Sequence, residues 1–253
     1  MENSSPTLPT LGTQEPIIET PVKEEIKTPD LAPEELEKAP VVQGLIKESH
    51  VSMDFYLLLI AATTITTIGL LLDSTAVVIG GMLLAPLLSP ILALGLGVVT
   101  ANPDSLKRSL STIGVSVGIV LLVSLALAFF LGVENIANSE IVQRLEPSLL
   151  YMYIALLSGA GATYAWAKPK LSANLPSIAV VVALLPPLCV TGIGISVLDR
   201  TMITGSFQLF FVNLIGITVS SAIVFSLFGF HTMRYVEKEE IVKEEALEQA
   251  VQQ

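Results

Sequence analysis

Residues 76–100 read AVVIGGMLLAPLLSPILALGLGVVT. The run contains no ionisable side chain and exceeds the roughly 20 apolar residues that suffice to cross a bilayer. Yet it carries Pro86 and Pro90 at its centre, with Gly80, Gly81, Gly95 and Gly97 around them. In a continuous helix each proline removes one donor and strands the carbonyl four residues earlier, here those of Met82 and Pro86. A stranded carbonyl in hydrocarbon costs several kcal/mol, so the stretch is expected to be buried in protein or to line a wet cavity. Residues 177–197, SIAVVVALLPPLCVTGIGISV, repeat the design: Pro186 and Pro187 would free the carbonyls of Val182 and Ala183, and Gly192 and Gly194 follow.

Outward from these two stretches the chain is a membrane sequence. Of 253 residues, 52% are hydrophobic and only 14% charged, far from the balance of a soluble domain. Apolar runs at 55–72, 76–100, 110–133, 149–167, 177–197 and 207–230 each have the length of a spanning helix. Lys47, Lys107, Arg108, Lys168, Lys170, Arg234 and Lys238 fall on one side of such a topology. Positive-inside counting therefore predicts six spans with both termini cytoplasmic. The first apolar run lies behind about fifty polar residues, so the first span is expected to direct insertion itself.

The flanks are acidic and supply most of the net charge of -10. That balance argues against nucleic acid and against docking on anionic lipid. Seven of the fifteen prolines fall in residues 1–40, and residues 1–45 are predicted to form a disordered acidic cytoplasmic tail. Residues 41–49 read as a polar linker, with a short interfacial helix as the alternative. Residues 51–232 form the six-helix domain, and residues 233–253 a charged, solvated cytoplasmic helix.

Placing Pro86 on Pro186 aligns MLLAPLLSPILALGLGV with VALLPPLCVTGIGISV, allowing one slip before the glycines. Spans one to three then resemble spans four to six. Three is odd, so the second half would lie inverted, with proline-broken helices two and five in corresponding places, as in many secondary transporters. GLLLDSTAVVIGGMLLAPLLSPILALGLGV (residues 69–98) together with residues 177–197 closely resembles the prokaryotic membrane family known as domain of unknown function 389. The resemblance spans roughly residues 55–230 and implies a polytopic membrane protein; it implies no activity, substrate or catalytic residue. The family's first motif often has Asn where Asp73 stands here, and some members carry a soluble cytoplasmic domain.

Within residues 55–230 every ionisable side chain falls at a span end or in a loop, so no mid-membrane acid, base or histidine marks a proton path. No catalytic constellation, metal-ligand cluster or phosphate loop is present, and neither an enzyme, a cofactor nor a metal is expected. What remains is freed carbonyls, hydroxyls and one amide. The candidate substrate-binding set is Met82, Pro86, Ser89, Pro90, Val182, Ala183, Pro186, Pro187, Cys189 and Asn213, with Ser89 and Cys189 at equivalent places beside one cavity between the broken helices. Thr63, Thr64, Thr66 and Thr67 are expected chiefly to bond their own backbone. Gly80, Gly81, Gly114 and Gly118 are read as helix-packing residues, the last two within this chain or against another copy of it. The reading that follows is a transporter or channel for a small solute or ion; a membrane scaffold or sensor working through acidic tails is the alternative. Its expected partners are membrane lipid, the unidentified solute and a second copy of the chain.

Overall fold

A computed structural model describes residues 33–133, 138–168 and 184–251 of the chain. Among these residues the fold is entirely helical. Its elements are α1 (Pro33–Glu48), α2 (Met53–Leu71), α3 (Thr75–Leu84), α4 (Leu88–Thr100), α5 (Pro103–Leu131), α6 (Ser139–Val142), α7 (Leu149–Ala167), α8 (Leu185–Val197), α9 (Arg200–Leu227) and α10 (Arg234–Val251).

Local chemistry sets the helix starts. Ser52 accepts from Phe55 N–H at 3.1 Å to open α2. Asn102 accepts from Asp104 N–H at 3.2 Å, with Pro103 as first residue of α5. Asp199 accepts from Met202 N–H at 3.0 Å to open α9. Each side chain satisfies a donor that a helix start leaves without an intrahelical partner.

Four helices, α2, α5, α7 and α9, are long and apolar enough to cross a membrane, and α3 with α4 makes a fifth span if the bent pair is counted as one. Their outer faces are apolar. On α9, Phe211, Ile215, Val219, Ile223 and Leu227 recur every fourth residue and are 46–80% exposed, a stripe that belongs in lipid rather than water. The protein is thus a membrane protein with several spans. The remaining run of the sequence reading is described only from Leu184, and the 13 residues of α8 are too few to cross alone.

The helices close on one another through small residues. A Cβ on Gly159 of α7 would lie 2.7 Å from Ile217 Cα of α9, and one on Gly216 would lie 2.9 Å from Ala155 Cβ. Between α2 and α3, a Cβ on Gly81 would meet Thr66 N at 2.8 Å. Such approach lets dispersion hold apolar helices together where lipid offers no hydrophobic drive. Gly80, Gly114 and Gly118 differ: among the described residues nothing lies within 4 Å of a Cβ at any of them.

The flanks follow the sequence reading only in part: the C-terminal segment is helical as expected, in α10. Residues 1–32 of the expected disordered tail lie outside the described residues. Residues 33–45 are helical instead, and of the segment 41–49 residues 41–48 are helical too, the helix weighed there as the alternative to a linker. Val41, Val42, Leu45 and Ile46 are nearly or fully buried. They occupy one helical stripe, which the surrounding prolines and acids obscured. Lys38 Nζ reaches Gly229 O at 3.4 Å, and Trp166 Nε1 donates to Val41 O at 3.2 Å, tying α1 to the ends of α9 and α7. Likewise α10 is not simply solvated: Val236, Glu237 and Ile241 are buried where it packs on α1 and α5.

Candidate functional site

The stretch quoted first comes apart at residues 85–87, where α3 and α4 meet at 56°. Pro86 lies in that gap, half-buried. Its missing donor leaves Met82 O without its usual partner, but Ala85 N–H takes that place at 3.3 Å in a tighter turn. Pro90 stands third in α4, inside the first turn, where a helix has no use for the amide proton that proline lacks. Pro186 and Pro187 likewise fall in the first turn of α8. Leu184 opens that helix without a side-chain cap, and the two prolines halve the number of first-turn donors left to satisfy. Three of the four prolines therefore mark helix starts rather than freed carbonyls. The carbonyls of Val182 and Ala183 lie outside the described residues.

Around the break the surroundings are protein. Every residue from Pro90 to Gly97 is buried, as the proline and glycine content led one to expect of this half of the stretch. Leu83 and Leu84 before the break are exposed. Cover for α4 comes partly from α1, and with it comes a carboxylate: Ser89 Oγ donates to Glu48 Oε2 at 3.3 Å. Burial pushes the Glu48 carboxyl above the ordinary glutamate range, with the Ser89 hydrogen bond acting in the opposite direction. An acid thus stands at the break although no apolar run contains one. Sequence reasoning missed it by looking for acids only inside the spans.

Cys189 has different neighbours. It is fully buried on α8, beside Thr67 of α2, whereas Ser89 is half-buried against Glu48. The two are not in equivalent surroundings. Thr63 and Thr64 bond back to Leu59 O and Ile60 O, at 2.7 and 2.8 Å, as anticipated. Thr66 and Thr67 do not: their hydroxyls are buried with no hydrogen-bond partner among the described residues. One helix further, Thr191 and Ser206 join α8 to α9 at 2.7 Å. Met82 is buried on α3 and Asn213 on α9.

Two buried acids, unlike the exposed Glu48, hold the outer ends of the broken pair. Thr75, the first residue of α3, donates to Glu140 on α6; Thr100, the last residue of α4, donates to Glu237 on α10 at 2.6 Å. Among the described residues no group of three or more His, Cys, Asp or Glu side chains is arranged to hold a metal ion.

Residues 82–219 match the family model described as Domain of unknown function (DUF389). The chain is 29% identical over 225 residues to "Uncharacterized protein MJ0678" of Methanocaldococcus jannaschii, an alignment that covers 88% of this chain and 68% of the relative. No solved structure matches it.

Proposed function

The chain belongs to the DUF389 family, and from that premise we propose that it is a transporter or channel for a small solute or ion, acting at the break between α3 and α4. In this reading the protein crosses a prokaryotic plasma membrane six times with both termini cytoplasmic. Residues 177–197 complete the remaining span, and the two three-span halves are related by inversion. The observation that carries the reading is the break itself. A half-length helix buried in protein from Pro90 to Gly97 begins beside a hydroxyl and a carboxylate, Ser89 and Glu48. A scaffold gains nothing by interrupting a span and bringing an acid to the interruption, whereas discontinuous helices are how transporters place polar groups inside a membrane.

A carboxylate and a hydroxyl suit a monovalent cation, or a neutral solute with donor groups. The test is flux into proteoliposomes across a panel of monovalent cations and small neutral solutes, with Glu48→Gln and Ser89→Ala beside the wild-type chain. Flux of one class that both substitutions reduce supports the proposal; tight vesicles for every class would overturn it. A second copy of the chain is the proposed neighbour of Gly114 and Gly118, because neither glycine closely meets any of the described residues of its own chain. Replacing both with Leu should shift the native mass in detergent toward a smaller assembly, and an unchanged mass would remove that interface.

A further inference from the structure

Glu237 is unusual for a residue of a charged terminal helix: it is fully buried. Its carboxyl enters a polar corner built by three sites more than 130 residues away in sequence. Oε2 accepts from Thr100 Oγ1 at 2.6 Å and from Asn102 Nδ2 at 3.2 Å. Among the described residues the other oxygen, Oε1, is shielded from solvent and meets no donor at good hydrogen-bond geometry, while the Ser105 hydroxyl, itself 1% exposed, faces the carboxyl from the same corner and favours its ionised form. An ionised carboxylate with one buried bare oxygen is a costly arrangement. The last carbonyls of α4 turn the negative end of its dipole toward the same corner. A metal ion would need room that these shielded atoms do not leave. A hydrogen ion needs none.

We propose that Glu237 is a proton-binding site, and that the proton it holds keeps α10 docked on the ends of α4 and α5. The proton comes from solvent before docking, sits on Oε1 and removes the buried charge. Burial drives the carboxyl above the usual glutamate range, while Ser105, Thr100, Asn102 and the Arg234 charge pull the other way. Among the elements packed around it, α4 and the turn at residues 101–102 bring no ionisable group. On α5, Asp104, Lys107 and Arg108 line a separate cleft of about 520 Å³ with Lys238 and Glu245. His50, at the end of α1, lies 3.9 Å from Glu244, further along α10.

The sign follows from linkage. The docked helix binds more protons than the free one, so docking is strongest below the ordinary glutamate value of about 4.3 and weakens as pH rises toward the docked value. Each unit by which docking raises that value changes the docking equilibrium by about tenfold. The inference is independent of any transport activity.

The experiment uses the full chain in nanodiscs and reads two signals across pH. Infrared spectroscopy should show a protonated carboxylic C=O band that shifts in D2O and is missing from Glu237→Gln. Amide hydrogen exchange, corrected for its intrinsic pH dependence, should show α10 losing protection as that band titrates in the wild-type chain and keeping it in Glu237→Gln. Should the Gln variant fail to fold, Ser105→Ala serves instead. It removes a hydroxyl that favours the ionised carboxyl, so both transitions should move to higher pH together. Absence of a band attributable to Glu237, or an α10 whose protection ignores the band's titration, would overturn the proposal.

Discussion

The two ends of the broken pair are held by the same device with opposite electrostatics. At the start of α3, Thr75 donates to Glu140, but Glu140 also pairs with Arg144 at 2.9 Å. Nearby, Asp73 Oδ1 accepts from Ser139 Oγ and from Glu140 N–H, both at 2.8 Å. At the end of α4, Thr100 donates to Glu237, which has no ion pair of comparable closeness, one bare oxygen and complete burial. The first end neutralises its acid with a cation on the next turn of the chain. The second loses its charge by taking up a proton. A span interrupted at Pro86 cannot rely on its own backbone for rigidity, so its position depends on these two anchors, of which one is fixed and the other responds to pH.

The largest effect should come from breaking the fixed anchor. Arg144→Met leaves Glu140 buried without its cation and is expected to cost about 3 kcal/mol, the low end for a broken buried pair, since Arg144 keeps some exposure. Thermal unfolding in detergent would read it. In a double-mutant cycle with Glu140→Gln the two losses should be coupled, and strictly additive losses would contradict the ion-pair account. Thr100→Val removes one donor from the other anchor and should cost about 1 kcal/mol. Here the cost should grow as pH rises, because an ionised Glu237 needs its donors most. The smallest effect is expected at Asp73. Two hydrogen bonds from the 139–140 segment hold its carboxyl below the usual range, the Glu140 N–H contributing most. Such a group stabilises above its unfolded value of about 3.9, and that contribution is lost as pH falls through the folded value. Asp73→Asn keeps an acceptor there, so it should flatten the acid end of the stability profile while changing little else; an unaltered acid limb would show that Asp73 does not titrate with folding.

Much of the frame was legible in the sequence because lipid imposes strong rules. Long runs without charge could only be spans, and Pro86 with its neighbouring glycines could only interrupt one. What the prolines do was harder to read. Counting stranded carbonyls treats Pro90, Pro186 and Pro187 as interior residues, whereas each stands in a first turn where the missing N–H is no loss. The flanks were misread for a different reason. Composition averages over α1 and α10, and both hide a narrow apolar stripe, Val41, Val42, Leu45 and Ile46 in one, Val236 and Ile241 in the other. The acids that matter most to the broken pair, Glu48 and Glu237, sit beside those stripes. No reading confined to the apolar runs could find them, because their partners Ser89 and Thr100 are 41 and 137 residues away.

The break at α3 and α4 as the functional element is tested most directly by placing a cysteine at Ser89. Native Cys189 is fully buried and should stay inert, so it serves as the internal control. In proteoliposomes carrying whichever solute the chain moves, Ser89→Cys should react with a small membrane-impermeant thiol reagent, and flux should fall in step with the labelled fraction. Complete labelling with flux unchanged would contradict the account.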